Sequence, residues 1–264
     1  MPYATNPIDG VRTYFADLHG DGPPILVFNG LGDLIEDSLE LPIVRALAGE
    51  NRLILIDHRG HGRSDKPHDE ASYALSTRVA DAIAALDALG IARAHVLGFS
   101  WGARLGFAIG EHAPERVLSL ILCGNQPYAW DRSWSFVPML TEAFDVSRGR
   151  GMQGFIDVIE SVLGGGHIHD PARGRLLAGD HLALGAAWRS AMTEGPISAD
   201  LGSWRVLCLI YAGEYDEMID AARRAALEIP TARFLSLRGH SHLSAPLEVD
   251  QVLPAVLDLL RETS

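Results

Sequence analysis

The stretch Ala94-His95-Val96-Leu97-Gly98-Phe99-Ser100-Trp101-Gly102-Ala103-Arg104-Leu105-Gly106-Phe107-Ala108 decides how this chain reads. Its first part, Ala94–Phe99, is a short apolar run that predicts a buried strand. The residues Trp101–His112, with Pro114 just beyond, predict a helix. Between the two lies Gly98-Phe99-Ser100-Trp101-Gly102, a G-x-S-x-G pentapeptide. A tight strand-to-helix turn holds its central serine in strained geometry and brings the two backbones close together. The residues two before and two after must then be almost free of side chain, and glycine fills both places. The serine projects above the sheet at a helix N-terminus, where the dipole favours a developing negative charge. The pentapeptide alone is a weak pattern; its place between a strand and a helix makes it specific.

The same rhythm of apolar run, glycine-rich turn and amphipathic stretch extends in both directions. Upstream, Val11–Leu18 predicts an antiparallel edge strand, and Pro24–Phe28 a buried strand ending in Asn29-Gly30-Leu31-Gly32. A helix is expected over Leu39–Ala48, and a strand over Arg52–Asp57. Ser76–Leu89 reads as a helix with Val79, Ile83, Leu86 and Leu89 on one face and Gly90 as its C-cap. Val117–Cys123 is a further strand. From 125 to 202 the rhythm stops. That region holds Trp130, Trp134, Phe136, Phe144, Phe155 and Trp188, with helical stretches Gly154–Leu163 and Arg173–Thr193 broken by Gly164-Gly165-Gly166. The rhythm resumes with a strand at Arg205–Ala212, a helix at Glu217–Glu228, a strand at Arg233–Leu237 and a helix at Leu247–Arg261. The expected architecture is α/β, with a mostly parallel central sheet flanked by helices. Residues 1–124 and 203–264 would form the core domain, and 125–202 a helical cap.

A serine hydroxyl is a poor nucleophile unless a base takes its proton and an acid orients that base. In this architecture the chain order is serine, acid, histidine. After Arg205–Ala212 comes Gly213-Glu214-Tyr215-Asp216, and after Arg233–Leu237 comes Arg238-Gly239-His240-Ser241-His242. Both follow strands at their C-terminal ends, where open α/β sheets place their sites.

Five motifs in this order resemble the α/β-hydrolase superfamily, in its capped esterase/lipase-like branch. They are Phe28–Gly32, Asp57-His58-Arg59-Gly60-His61-Gly62-Arg63-Ser64-Asp65, the serine turn, Gly213–Asp216 and Gly239–His242. The resemblance implies the α/β-hydrolase fold and Ser100 as nucleophile. It implies Asp216 as the acid, with Glu214 as local rival, and His242 or its neighbour His240 as the base. The family's frame of a glycine two residues before a Gly-His pair favours His242, with Ser241 in the second glycine's place. The oxyanion hole would be the backbone N–H groups of Leu31 and Trp101. The family often has His-Gly where this chain has Asn29-Gly30, so Asn29 would reach the substrate pocket, together with Trp101, Trp130 and Trp134.

The expected activity is hydrolysis of a carboxylic ester or related acyl bond of a small, largely apolar molecule, without cofactor or metal. Two other readings share the scaffold. A carbon–carbon bond hydrolase would need a basic clamp, for which Arg104, Arg132, Arg148, Arg173, Arg175 and Arg189 are candidates. A small-molecule receptor would bind with slow turnover. Relatives acting on halides or epoxides carry aspartate at the serine position, which this chain does not.

Composition narrows the classes further. The chain has 264 residues, 47% hydrophobic and 21% charged, enough apolar material for a sizeable core. Its net charge is -12, with a pI near 5.3, and no basic stripe suits nucleic acid. Lys66 is the single lysine, which confines lysine chemistry to that position, and the Arg, Ala and Gly usage suggests a bacterial source. Cys123 and Cys208 lie in apolar runs and read as buried thiols rather than a disulfide or a zinc site. His58 and His61 read as loop-structuring residues, and His167 and His169 lack converging metal ligands. Gly60 and Gly62 do not make a dinucleotide fingerprint. Met1–Asp9 has no secretory pattern and no run approaches a membrane span, so a cytoplasmic location without membrane partners is expected. Oligomeric state is not readable from these features.

Overall fold

The computed structural model describes residues 2–162 and 167–263. Eight strands form one sheet: β1 (Tyr3–Thr5), β2 (Arg12–Leu18), β3 (Gly22–Phe28), β4 (Asn51–Ile56), β5 (Ala94–Phe99), β6 (Val117–Cys123), β7 (Leu207–Gly213) and β8 (Ala232–Leu237). Their spatial order is β1-β2-β4-β3-β5-β6-β7-β8. The β1–β2 and β2–β4 pairs are antiparallel, and every later pair is parallel. The nine α-helices among the described residues are α1 (Ile35–Ser38), α2 (Pro42–Leu47), α3 (Leu75–Ala88), α4 (Trp101–His112), α5 (Phe136–Val162), α6 (Ala172–Leu177), α7 (His181–Ala191), α8 (Ile219–Glu228) and α9 (Val252–Glu262).

The strands read as unbroken apolar runs because both faces of the sheet are covered. Alternate residues sort to opposite sides. Leu26, Phe28, Ile54, Val96 and Leu122 pack with α3, α4 and α8. Ile25, Val27, Leu55, Leu97 and Ile121 pack with α1, α2 and α9. Each fully buried aliphatic chain of this kind contributes about 1.5–3 kcal/mol. Helix α3 ends as expected at Gly90. The Ile91 N–H donates to Leu86 O at 2.9 Å, and the Gly90 N–H to Asp87 O at 3.1 Å, which satisfies the last carbonyls of the helix.

Five expectations need correction. The edge of the sheet is Tyr3–Thr5, paired outside the strand that was expected to be the edge. The helix expected over Leu39–Ala48 is two, α1 and α2, because Pro42 opens α2 and holds Leu41 extended at ψ 127. Arg173–Thr193 is also two helices, α6 and α7. Asp180 caps the second by accepting from the Leu182 and Ala183 N–H groups at 3.0 and 3.1 Å. The last helix starts at Val252, and only a 3₁₀ turn covers Ala245–Leu247. The stretch Gly154–Leu163 belongs to α5, which begins at Phe136 and kinks at Gly151 (φ 62, ψ -164); Leu163 and Gly164–Gly166 lie outside the described residues. The spacing of Val137, Leu140 and Phe144 is helical, but Pro138 obscured it; proline is tolerated there because it sits in the first turn.

The helical segment between β6 and β7 has its own apolar cluster, in which Phe144, Phe155, Met152, Leu184 and Trp188 join α5 to α7. Polar ties dock it to the sheet-bearing part. Glu194, just after α7, receives Arg78 of α3 at 2.8 Å and Arg104 of α4 at 2.7 Å. The Ile197 N–H donates to Pro127 O at 2.7 Å.

Candidate active site

The register places Phe28 beside Gly98 and Phe99 beside Cys123, so β3, β5 and β6 end level with one another. Ser100 sits at that edge, between β5 and α4, with φ 51 and ψ -111; no other described non-glycine residue has positive φ. Such a conformation costs about 1–3 kcal/mol and survives only where the surroundings impose it. Here they do. A Cβ on Gly98 would lie 2.5 Å from Gly102 O, and one on Gly102 would lie 2.3 Å from Phe28 O. The Ser100 N–H donates to Cys123 O at 2.8 Å, and Asn125 Nδ2 donates to Ser100 O at 2.9 Å.

His242 and Asp216 reach the serine from the turns after β8 and β7. The His242 Nδ1–H donates to Asp216 Oδ2 at 2.7 Å. That leaves Nε2 as the acceptor for the Ser100 hydroxyl, 3.0 Å away. Asp216 is buried and also accepts the Met218 N–H at 3.0 Å, which fixes its carboxylate plane. The structure therefore brings together Ser100, Asp216 and His242. It does not bring in His240, whose Nδ1 faces Ser244 O at 3.3 Å and whose Nε2 lies 3.1 Å from Glu248. Nor does it bring in Glu214, which accepts from the Gly239 N–H at 2.9 Å. An imidazole so oriented can deprotonate the hydroxyl, and the carboxylate can stabilise the resulting imidazolium.

The turn after β3 is locked to the serine turn. Asn29 O accepts from the Gly102 N–H at 3.0 Å and from His58 Nε2 at 3.1 Å. Leu31 and Trp101 are thereby held on elements that meet beside Ser100. Trp101 opens α4, so its N–H has no acceptor within the helix. The Trp101 indole is buried with Tyr73, Ala183, Ala186 and Ala187, and the Arg78 guanidinium lies 4.3 Å over its ring. Asn29 is buried at the end of β3. Trp130 and Trp134 belong to an aromatic group: Trp130 lies 6.3 Å from Trp134, 6.1 Å from Phe136 and 6.3 Å from Trp188. Leu31 packs against the cluster that includes Trp134 and Phe136.

Several residues near the triad carried no motif. Gly124 lies beneath it, where a Cβ would come within 3.1 Å of His242 and 3.3 Å of Asp216. The Phe99 ring is 5.3 Å from the His242 ring. Asp33 accepts from the Gly30 N–H at 3.0 Å, and burial with the nearby Asp37 pushes its carboxyl up to about 7. An acid in a glycine turn is visible in Gly30-Leu31-Gly32-Asp33, but its half-buried environment is set by distant packing. His58 is driven well below the usual imidazole range by burial.

Of the arginines weighed as a clamp, Arg104 is fully buried and bound to Glu194, Gln126 O, Tyr128 O and Gly195 O. Arg132 donates to Met192 O, Arg148 faces Asp145 and Arg173 faces Gln153. Arg175 pairs with Asp37, and Arg189 with Glu70. His167 lies 3.4 Å from Glu160. Among the described residues there is no group of three or more His, Cys, Asp or Glu placed to hold a metal. No helix among them is long and apolar enough to cross a membrane.

Comparison with known proteins places this geometry. A family model described as the alpha/beta hydrolase fold matches residues 23–144. The chain is 34% identical over 148 residues to an Azorhizobium caulinodans protein provisionally named carbamate hydrolase RutD, covering 56% of this chain and 51% of that one. It is 32% identical over 140 residues to a 2-hydroxymuconate semialdehyde hydrolase of Pseudomonas sp. CF600, covering 50% and 49%. The chain thus spans about half the length of these relatives. The enol-lactonase of Burkholderia xenovorans LB400 superposes with a TM-score of 0.80 at 24% identity, over 98% of this chain and 100% of that one. The sheet order, the strained serine turn, the family match over residues 23–144 and the superposition agree that the chain has the α/β-hydrolase fold.

Proposed function

We propose that this protein is a serine hydrolase that cleaves a carboxylic ester or related acyl bond of a small, largely apolar substrate. The observation that carries the reading is the unbroken chain from Ser100 Oγ through His242 to Asp216, at 3.0 and 2.7 Å. Ser100 attacks the carbonyl carbon as His242 Nε2 takes its proton. Asp216 holds the imidazole tautomer and stabilises the imidazolium. The tetrahedral oxyanion is received by the N–H groups of Leu31 and Trp101, each worth about 3 kcal/mol of transition-state stabilisation. His242 then protonates the leaving group, and the acyl-enzyme is released by water activated by the same imidazole. Residues 125–202 act as the cap, and Asn29, Trp101, Trp130 and Trp134 line the pocket. The hydrolase names of the two sequence relatives support the class.

A carbon–carbon bond hydrolase is the weaker reading, because each arginine weighed as a clamp is engaged by other partners. A receptor with slow turnover is separated by kinetics. A panel of p-nitrophenyl esters and a fluorophosphonate probe decide the matter. The wild type should turn over and be labelled, and Ser100→Ala should do neither. Asp216→Asn should lose about 10⁴-fold in kcat. A folded wild type that is neither labelled nor active sinks the proposal.

A further inference from the structure

Leu31 sits in the middle of a short turn that one side chain closes on itself. The Leu31 N–H has no acceptor among the described residues. Before it, Asn29 O is fixed by the Gly102 N–H at 3.0 Å and by His58 Nε2 at 3.1 Å. After it, Asp37 Oδ2 accepts the Leu34 N–H at 2.9 Å, and Asp57 Oδ1 the Ile35 N–H at 3.0 Å. Between these anchors run two glycines, Gly30 and Gly32, the second at φ 89. Glycine leaves the backbone free to wander unless something restrains it. Asp33 restrains it from both directions. Its Oδ2 accepts the Gly30 N–H at 3.0 Å, and its own N–H donates to Gly30 O at 3.3 Å. A Cβ on Gly30 would lie 2.6 Å from Asp33 Oδ2 and 3.4 Å from Phe99 Cε1. The carboxyl thus fills the place of a Gly30 side chain, next to the ring that lies 5.3 Å from the His242 ring.

We propose that Asp33 is a positioning residue for the reaction, holding Gly30 so that the Leu31 N–H is aimed at the carbonyl oxygen as it becomes negative. The inference rests on the serine-hydrolase reading above. Asp33 acts through the backbone of the turn and forms no bond to the reacting atoms. Burial and the like charge of Asp37, against the Gly30 N–H, Arg175 and His242, push its carboxyl up to about 7. Both the neutral and the ionised form keep a lone pair for the Gly30 N–H, so the restraint persists across neutral pH. Asparagine, whose amide oxygen accepts the same bond, is therefore the conservative substitute, and alanine is not. A misplacement of about 1 Å costs about 10²-fold in rate. A donor that matters only once charge develops acts on kcat and not on the binding of substrate.

The test compares Asp33→Ala and Asp33→Asn with the wild type on p-nitrophenyl butyrate, and with phenylboronic acid, whose tetrahedral adduct on Ser100 sets an oxygen in the oxyanion hole. Asp33→Ala should lose about 10- to 100-fold in kcat with KM within about twofold, and should bind the boronic acid more weakly by a similar factor. Asp33→Asn should recover most of both losses. Gly30→Ala disturbs the same contact from the other side, its methyl 2.6 Å from Asp33 Oδ2, and should reproduce the loss in kcat. With a wild type that is active and labelled by fluorophosphonate, three results overturn the positioning role alone. One is kcat within about twofold of wild type for Asp33→Ala and Gly30→Ala. Another is Asp33→Asn as slow as Asp33→Ala, which assigns the effect to the charge of the carboxyl and not to its acceptor. The third is a KM that rises as far as kcat falls, which marks a general loosening of the site. A folded wild type that is neither labelled nor active overturns the serine-hydrolase reading, and this inference with it.

Discussion

Replacing Glu194 by glutamine should unsettle the protein more than its single position suggests. Glu194 bridges two buried guanidiniums, those of Arg78 and Arg104, whose side chains are 2% and 0% exposed. Burial presses both arginines toward the neutral form, and Glu194 opposes that. With the negative charge gone, two like charges are left in a dry interior. Breaking a buried pair of this kind costs about 3–5 kcal/mol. Unfolding entropy near 2.1 cal/mol/K per residue converts that into a melting temperature lower by about 5–9 °C. Arg78→Met is the contrast. It leaves Arg104 and Glu194 as a neutral pair and removes a guanidinium whose Nε and Nη1 have no hydrogen-bond partner among the described residues. It forfeits the stacking over Trp101 at 4.3 Å, worth about 2 kcal/mol when desolvated. Calorimetric melts at pH 7.5 should therefore rank Glu194→Gln well below Arg78→Met, and added salt should change little because the charges are buried. Equal losses, or a larger loss for Arg78→Met, would refute the argument from uncompensated charge.

Three further outcomes are expected. Gly98→Ala sets a methyl 2.5 Å from Gly102 O and 2.7 Å from Ala103 N, both main chain that cannot swing aside; a melt within about 2 °C of wild type would contradict the close approach. Asp33 has a folded pKa raised to about 7 from 3.8, so the folded state binds the extra proton, and stability from this group is lost as pH rises across that window. Asp33→Asn should thus gain on the wild type in melts taken from pH 4 to pH 7, and a pH-independent difference would rule the shift out. His95 works in the other sense: burial, aided by Arg93, lowers it from 6.5 to about 4, so the unfolded state takes up protons first, and stability falls as pH drops through that range. His95→Gln should flatten this acid limb, and an unchanged slope would count against it.

Much of the sheet was legible because its cause is local. A strand buried on both faces must be apolar throughout, and β5, α4 and β6 fall at the expected residues. The serine turn was legible for a similar reason, since two glycines answer a steric demand within five residues. The helices that were misread fail at signals that act over one or two residues. Pro42 starts a new helix, and Asp180 caps one, inside stretches whose apolar content alone looks continuous.

The sequence by itself determined the class of fold, the serine at the turn, and two short segments that could supply its acid and base. Those follow from periodicity, glycine sterics and strand order, which act along the chain. Only the tertiary structure decided which histidine meets the serine. Packing of the β8 turn against Gly213, where a Cβ would lie 2.3 Å from His240 O, turns His240 toward Glu248 and leaves His242 over Asp216. Tertiary structure likewise set the charge of Asp33 and the bridging of two arginines by Glu194. Those depend on desolvation and on partners far apart in the chain, 116 residues for Arg78 and Glu194, and no local pattern records either.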